Sequence, residues 1–303
     1  MTLTELKYVV ALAQERHFGR AAQKCFVTQP TLSLALAKLE DELGVLLFER
    51  NKNEVIVTPM GESIVEQARR VLDEAGKIPS LAKGSQDQLA GALRLGVIPT
   101  IGPYLLPELI PILRRKAPAM PLMIEENFTG NLVPMLRDGE IDAALIALPF
   151  TVPGVLTRAL YEEPFSVVVP DGHAWAKKKR VRPDELSGVN LLVLNAGHCF
   201  REQVLEACPG QSNTANPEGR SGSSLETIRN MVASGLGVSV LPAMALQAKY
   251  GNKLVKEIPF TEPAPSRKVA IAWRASFSRP KAIEALGAAV REMKLDGLKR
   301  LAA

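Results

Sequence analysis

Two of the three cysteines in this chain, Cys199 and Cys208, stand nine positions apart. A cysteine thiolate reacts with oxidants, and two cysteines that meet can form a disulfide. The eight residues between them, FREQVLEA, contain neither Pro nor Gly and favour an α-helix. Such a helix separates the two Cα atoms by about 13–14 Å, whereas a disulfide requires about 4.4–6.8 Å. The helix and the bond therefore exclude each other, and oxidation would have to unwind the segment.

The two sulfurs would have different surroundings. Cys199 would begin the helix beside His198, and a helix N-terminus and nearby cations both lower a thiol pKa. Cys208 shares an apolar face with Phe200 and Val204, so we expect it to be unreactive until the segment opens. If the two react, the expected order is oxidation of Cys199 to a sulfenic acid and then condensation with Cys208. The residues alone also allow a second interpretation, which the spacing favours: two buried core cysteines without a redox role.

Composition indicates where such a pair would operate. The 303 residues are 47% hydrophobic and 23% charged, which fits a globular chain of two or three domains. The N-terminal stretch lacks an apolar run long enough for a signal peptide or a membrane span. We therefore expect a cytoplasmic protein with no membrane partner, in which a cysteine pair is transient rather than structural. The C-x8-C spacing is not a common zinc spacing, and we expect no metal and no cofactor.

The net charge of +5 suggests an acidic partner, but the charges are unevenly distributed. Residues 1–90 carry 11 Lys and Arg against 12 Asp and Glu. Total charge is thus poor evidence for nucleic-acid binding. If the N-terminal part binds DNA, its positive groups must lie on one face.

Residues 2–58 have the pattern of a helix–turn–helix unit followed by two short strands. The second helix has Thr28 at its N-cap position, Pro30 in its first turn and Gly44 as its stop. Its first turns carry short polar groups able to bond base edges in the major groove: Gln29, Thr31 and Ser33. Arg50 and Lys52 suit phosphate contacts from a wing. The alternative is a helical hairpin with ordinary caps, and Cys25 is interpreted as core filler in either case.

A long amphipathic segment follows. Its apolar residues recur at alternating steps of four and three, as in the heptad pattern of a helix that pairs with another helix. They are Ile64, Ala68, Val71, Ala75, Ile78 and Ala82. This favours a dimerising linker helix, although a helix lying on its own core has the same pattern. Pro79 should disturb its last turn, and KGSQDQ at 83–88 is typical of a hinge.

From residue 92 onwards strand-like and helix-like segments alternate. This pattern predicts βαβ units on a mostly parallel sheet. Separate strands are predicted at 156–160 and 165–169. We expect two Rossmann-like α/β subdomains with a cleft between them.

The segment TQPTLSLALAKLEDELGVLLFER resembles the N-terminal signature of LysR-type transcriptional regulators, and the resemblance spans essentially the whole chain. It implies a winged helix–turn–helix at 1–60, a linker helix and hinge at 61–88, and an effector domain like a type 2 periplasmic binding protein at 89–303. We place subdomain I at 89–161 and 268–303, and subdomain II at 162–267. The resemblance further implies a homotetramer that contacts promoter DNA through Gln29, Pro30, Thr31, Ser33 and Arg50.

The segment GHCFREQVLEAC resembles the redox segment of the hydrogen-peroxide-sensing activators in that family. This resemblance implies that Cys199 reacts with peroxide, and that Cys208 then reacts with the oxidised Cys199 to form a reversible disulfide. The resemblance points to Thr100, Thr129 and His198 as donors to peroxide, and to Arg267 as a positive neighbour of the thiolate. For the two threonines, helix capping is the alternative.

The function implied is activation of oxidative-stress genes by a protein that is not an enzyme, with RNA polymerase and either glutaredoxin or thioredoxin as further partners. Two rivals stay open at this point. One is a LysR-type regulator that responds to a small metabolite in the cleft. The other is a thiol peroxidase, a class in which the DNA-binding unit has no use.

Overall fold

The computed structural model describes residues 1–51, 54–82, 87–208, 221–294 and 297–301, with the backbone alone at 50, 51, 54 and 79–82. The chain forms two compact units, Met1–Gln86 and Asp87–Ala303, and each is described by itself. No helix in the described ranges is both long and apolar enough to cross a bilayer.

The first unit contains four helices and a two-stranded hairpin within its described residues. They are α1 (Leu3–Glu15), α2 (Phe18–Lys24), α3 (Gln29–Leu43), β1 (Phe48–Asn51), β2 (Glu54–Val57) and α4 (Pro59–Ala82). A capping box between Thr2 and Glu5 begins α1. The fully buried side chains of Leu32, Leu36 and Leu39 hold α3 on the core of this unit. The predicted helix–turn–helix with a β wing is confirmed.

The predicted signals at both ends of α3 are present, with one difference. The helix begins after Thr28, has Pro30 in its first turn and ends at Gly44, whose φ of 68° is left-handed. The Thr28 side chain does not cap the helix, and its Oγ1 lies 2.8 Å from Oγ1 of Thr31 instead. Buried Glu40 accepts hydrogen bonds from the backbone N–H groups of Leu47 and Phe48, which ties α3 to the wing. Lys52, in the predicted turn, lies outside the described residues.

The amphipathic helix α4 differs from expectation near its end. It continues through Pro79 to Ala82, although Pro79 was expected to disturb the last turn. A proline so close to the end removes one backbone donor from a helix of 24 residues, and the preceding turns keep theirs. Most of the predicted hinge, 83–86, lies outside the described residues.

The second unit is an α/β domain. Its first half contains β3 (Leu93–Val97), α5 (Gly102–Lys116), β4 (Leu122–Glu126), α6 (Thr129–Arg137), β5 (Ala143–Ala147) and β6 (Val155–Pro170). Its second half contains β7 (Leu191–Leu194), α7 (Cys199–Ala207), β8 (Ser221–Gly222), α8 (Leu225–Ala233), β9 (Val238–Pro242), β10 (Val255–Pro259), β11 (Ser266–Arg274), α9 (Pro280–Glu292) and β12 (Lys299–Arg300).

The strands follow the order β4-β3-β5-β11-β6-β9-β7-β8. Parallel pairs join β3 to β4 and β5 at one end, and β7 to β8 and β9 at the other. This arrangement confirms the predicted pair of α/β regions. The two long central strands, β6 and β11, run antiparallel to each other and to their neighbours, so the sheet is mixed rather than mostly parallel.

The prediction of separate strands at 156–160 and 165–169 is wrong, because both belong to the 16-residue strand β6. Glu162, Glu163 and Pro164 interrupt the apolar pattern and therefore resemble a connection. In the fold, Glu163 faces Arg267 directly across the β6–β11 pair, and the two opposite charges form an ion pair. A partner more than a hundred residues away thus permits a charged residue inside a buried strand.

Candidate redox site and DNA-reading helix

The segment between the two cysteines is helical, as predicted. Helix α7 begins at Cys199, ends at Ala207 and has Cys208 as its C-cap. Phe200 and Val204 are its buried anchors. All three cysteines are free thiols. With nine helical steps between them, the Cα atoms of Cys199 and Cys208 stand about 13–14 Å apart, beyond disulfide reach.

The two sulfurs differ in exposure, as expected. Cys208 is completely buried, and this burial raises the pKa of its thiol to about 12. It is therefore a protonated, unreactive thiol at neutral pH. Cys199 is half-buried and reaches a small cavity.

The turn before α7 shapes the position of Cys199. Gly197 has a φ of 99°, which favours glycine, and a Cβ there would lie 3.6 Å from the Phe128 ring. His198 occupies the N-cap position, but its side chain makes no capping hydrogen bond. The first turn of α7 consequently has no side-chain cap to hold it.

The cavity lies where three strands end. Its walls come from the residues that follow β3, β4 and β7, and they are Ile98, Pro99, Thr100, Phe128, Thr129, Gly197, His198 and Cys199. The carboxyl ends of parallel strands are where open α/β sheets place their ligands. The fold thus brings together four of the six predicted site residues: both threonines, His198 and Cys199. The cavity is tightly packed, so any guest must displace a side chain slightly.

Neither threonine caps its helix. The N-cap of α5 is Ile101 and that of α6 is Phe128, and neither helix has a side-chain capping bond. The capping alternative is therefore wrong for Thr100 and Thr129. Thr129 Oγ1 is buried without a hydrogen-bond partner among the described residues. A buried hydroxyl without a partner is costly, and it marks this wall of the cavity as a place for a polar guest.

His198 is buried and its ring is tied to the backbone. Nε2 lies 3.1 Å from the carbonyl oxygen of Ser223, and the Phe128 ring packs edge-on against it at 4.7 Å. Burial lowers the pKa of His198, against the smaller opposing effect of the Ser223 carbonyl. The neutral ring donates from Nε2, so Nδ1 is an acceptor. His198 was expected to act as a donor beside the sulfur, but its N–H is already used by Ser223 and its ring carries no positive charge at neutral pH.

Arg267 lies behind the cavity wall rather than in it. Its Nη1 donates to Thr100 Oγ1 over 2.8 Å and its Nη2 to the Thr100 carbonyl over 2.9 Å. Its guanidinium also stacks over the Phe200 ring at 5.0 Å. Glu163 neutralises it through a 2.7 Å ion pair, with both side chains almost fully buried. Arg267, the positive neighbour expected for the thiolate, thus belongs to a neutral ion pair and forms two hydrogen bonds to Thr100.

Two polar residues of this region were missed from the sequence. Glu163 forms the buried pair, and the only signal was a carboxylate inside the apolar run of β6. Gln203, on α7, donates from Nε2 to the Leu148 carbonyl over 3.2 Å. Its buried Oε1 has no partner within the described ranges. No pattern in the sequence distinguished Gln203 from an ordinary helix residue.

The predicted DNA-reading groups lie in the first turns of α3. Gln29, Pro30 and Thr31 are exposed and Ser33 is half-buried. Leu34, which the sequence did not single out, is 74% exposed beside them. Arg50 lies in β1, but its side chain is outside the described part of the chain.

The third cysteine has a structural position. Cys25 ends α2 as its C-cap and packs against the core of the first unit. Burial raises the pKa of its thiol. This is consistent with its interpretation as core filler.

Two family models cover nearly the whole chain. Residues 3–62 match the bacterial regulatory helix-turn-helix protein of the lysR family, and residues 86–294 match the LysR substrate binding domain. A hydrogen peroxide-inducible genes activator from Dickeya chrysanthemi is 39% identical over 303 residues, which is all of this chain and 99% of that protein.

Solved structures of OxyR proteins are also similar to this chain. Full-length OxyR from Pseudomonas aeruginosa, solved as a variant, is 56% identical with a TM-score of 0.77, covering 97% of this chain and 96% of that one. An H2O2-bound variant of OxyR from Corynebacterium glutamicum is 36% identical with a TM-score of 0.63, covering 96% and 93%. This chain therefore belongs to the OxyR family of hydrogen peroxide-inducible genes activators, within the LysR-type transcriptional regulators.

Proposed function

We propose that this regulator senses hydrogen peroxide through Cys199 and is switched by a reversible disulfide with Cys208. One observation carries the proposal. Cys199 lines a cavity with a buried hydroxyl that has no hydrogen-bond partner among the described residues, whereas Cys208 is buried at the other end of a helix that the bond cannot span.

In the first step the Cys199 thiolate attacks one peroxide oxygen and the O–O bond breaks. The sulfur loses two electrons and becomes a sulfenic acid, while the other oxygen leaves as hydroxide and takes a proton to become water. Thr100 and Thr129 bond the peroxide in the cavity. Nδ1 of His198 accepts a hydrogen bond from it rather than donating one.

In the second step the Cys208 sulfur attacks the sulfenic sulfur, the S–OH bond breaks and water leaves. Because α7 separates the two sulfurs, this step requires the helix to unwind. Inverting a 1:99 population requires about 5.5 kcal/mol. A disulfide is typically worth about 2–4 kcal/mol, and the contacts that α7 loses on unwinding oppose the change, so new contacts in the oxidised form must supply the remainder.

The DNA-binding unit reads promoter DNA with Gln29, Pro30, Thr31 and Ser33, and Arg50 in the wing contacts phosphate. The exposed Leu34 suits an apolar contact with a thymine methyl group. Because its target is promoter DNA, the protein acts in the cytoplasm.

The protein assembles as a homotetramer in which α4 helices pair between subunits. Oxidation changes the spacing of the DNA-binding units along the DNA. RNA polymerase is then its partner in activating oxidative-stress genes. Glutaredoxin or thioredoxin reduces the disulfide and resets the switch.

Peroxide-dependent footprinting tests the proposal. The wild type should shift its footprint after micromolar peroxide, and Cys199→Ser should keep the reduced footprint. Equal footprint shifts in both proteins would contradict the proposed redox switch and favour a regulator that responds to another signal. A regulator consumes about one peroxide per Cys199, so sustained turnover of peroxide by catalytic amounts of protein would indicate an enzyme instead.

A further inference from the structure

A buried ion pair lies behind the cavity wall that carries Thr100. Arg267 Nε donates to Glu163 Oε2 over 2.7 Å, and the two side chains are 1% and 0% exposed. Neither residue lines the cavity itself. A buried charge without its partner is strongly unfavourable, so each side chain depends on the other.

Glu163 is held from both sides. Its Oε2 bonds Arg267, and its Oε1 accepts a hydrogen bond from the backbone N–H of Met244 over 2.9 Å. Glu163 and Arg267 are also direct neighbours across the β6–β11 pair. With both oxygens occupied, the carboxylate has one orientation, and Arg267 Nε is fixed by it.

Arg267 in turn fixes the polarity of Thr100. The Thr100 hydroxyl accepts a hydrogen from Nη1, and the Thr100 carbonyl accepts one from Nη2. A hydroxyl has one hydrogen to donate and lone pairs to accept with. Because Nη1 supplies the hydrogen of that bond, the hydrogen of Thr100 itself stays available to a guest in the cavity.

We propose that Glu163 is a positioning residue for peroxide reduction, holding Arg267 so that Thr100 presents its hydroxyl hydrogen to the leaving oxygen of peroxide. This inference rests on the proposed reaction of Cys199 with peroxide. When the thiolate attacks, the electron pair of the O–O bond moves to the distal oxygen. The Thr100 hydroxyl stabilises that charge by a hydrogen bond and keeps its proton, and solvent supplies the proton that completes water.

The test compares two electrophiles on Cys199 in a Cys208→Ser background. Hydrogen peroxide has a leaving group that needs hydrogen-bond assistance, whereas iodoacetamide releases iodide, which does not. Glu163→Gln should slow sulfenic acid formation roughly 10-fold or more and leave alkylation within about two-fold. Glu162→Gln is the matched control, since that neighbour is half-buried and bonds Ser266 instead. Both peroxide and alkylation rates of this control should equal those of the parent.

A double-mutant cycle with Thr100→Val identifies the route of the effect. If Glu163 acts through Thr100, Glu163→Gln should change the peroxide rate less than about two-fold once the hydroxyl is gone. If Glu163→Gln does not fold, Arg267→Lys replaces it, because a lysine lacks the planar fork that bonds Glu163 and both Thr100 oxygens together.

Three results would overturn the inference: an unchanged peroxide rate, an equal loss of both rates, or a full effect of Glu163→Gln in the absence of the Thr100 hydroxyl. The proposed function fails separately. In that case Cys199 of the parent protein, with Glu163 intact, would not react with peroxide at all.

Discussion

Helices α7 and α8 have nine residues each and pack against the same strand, β7, but they are held very differently. The N-cap of α8 is Ser224, whose side chain accepts a hydrogen bond from the Thr227 N–H. Helix α7 has no side-chain cap. Helix α8 buries Leu225, Ile228, Arg229 and Val232, whereas α7 buries only Phe200 and Val204.

The arginines of the two helices also differ in burial and in their partners. Arg229 of α8 is 4% exposed, pairs with Glu226 and also donates to the Ala245 carbonyl. The arginine of α7, Arg201, is half-buried, pairs with the exposed Glu202 over 3.8 Å and donates to the carbonyl of Leu194 at the end of β7. We infer that α8 is built to stay folded during the switch and that α7 is built to open.

The largest effect is expected for the reactivity of Cys208, which only opening of α7 exposes. In a Cys199→Ser background, iodoacetamide should alkylate native Cys208 at least roughly 100-fold more slowly than the urea-unfolded chain, because burial keeps its thiol protonated. Quenched alkylation followed by mass spectrometry measures both rates. Native labelling within about 10-fold of the unfolded rate would mean that Cys208 is not sealed.

The next effect sharpens the contrast between the two helices. Val204→Ala should weaken α7 by about 2 kcal/mol, which makes its opening roughly 30-fold more frequent. The step from sulfenic acid to disulfide should accelerate accordingly. Val232→Ala, the same substitution at a fully buried position of α8, is the matched control, because Val232 does not line the small cavity that Val204 lines. It should lower the free energy of unfolding without accelerating that step. Stopped-flow measurement of disulfide formation distinguishes them, and equal acceleration by both variants would contradict the contrast.

A smaller effect is expected from the cap of α8. Ser224→Ala should lower the free energy of unfolding by about 1 kcal/mol, since it removes the side-chain bond to the Thr227 N–H. Urea unfolding measures this loss, and the rate of disulfide formation should not change. A slower or faster disulfide step in this variant would show that α8 takes part in the rearrangement.

The smallest effect is the pH dependence contributed by His198. Its folded pKa lies below the ordinary value of about 6.5, so the unfolded chain binds more protons in the window between the two. The stabilisation is complete above about pH 6.5 and is lost as the pH falls through the folded pKa. Urea unfolding at several pH values should show a weaker acid loss in His198→Gln than in the wild type. His173→Gln is the control, and an equal reduction in that variant would deny His198 this role.

Local sequence signals predicted much of this architecture, because helix boundaries depend on nearby residues. The start and stop of α3 follow from Pro30 and Gly44, and α7 follows from the unbroken helix formers between the cysteines. The incompatibility of helix and disulfide could likewise be predicted, since it needs only the rise per residue.

The features that were missed depend on distant partners. Glu163 concealed the continuity of β6 because its partner, Arg267, belongs to a strand 104 positions later. The Thr129 hydroxyl, buried without a partner in the part of the chain that the structure describes, is a property of packing, which no local pattern encodes. The subdomain boundaries at 161/162 and 267/268, and dimerisation through α4, stay predictions.

Amide hydrogen exchange on the fully oxidised protein tests the opening of α7 most directly. Intact mass establishes that the Cys199–Cys208 bond has formed, and reduced protein and Cys199→Ser treated with peroxide are the references. The amides of α7 should lose their protection on oxidation while those of α8 keep theirs. A disulfide-bonded protein in which α7 stays as protected as in the reduced form would contradict this prediction.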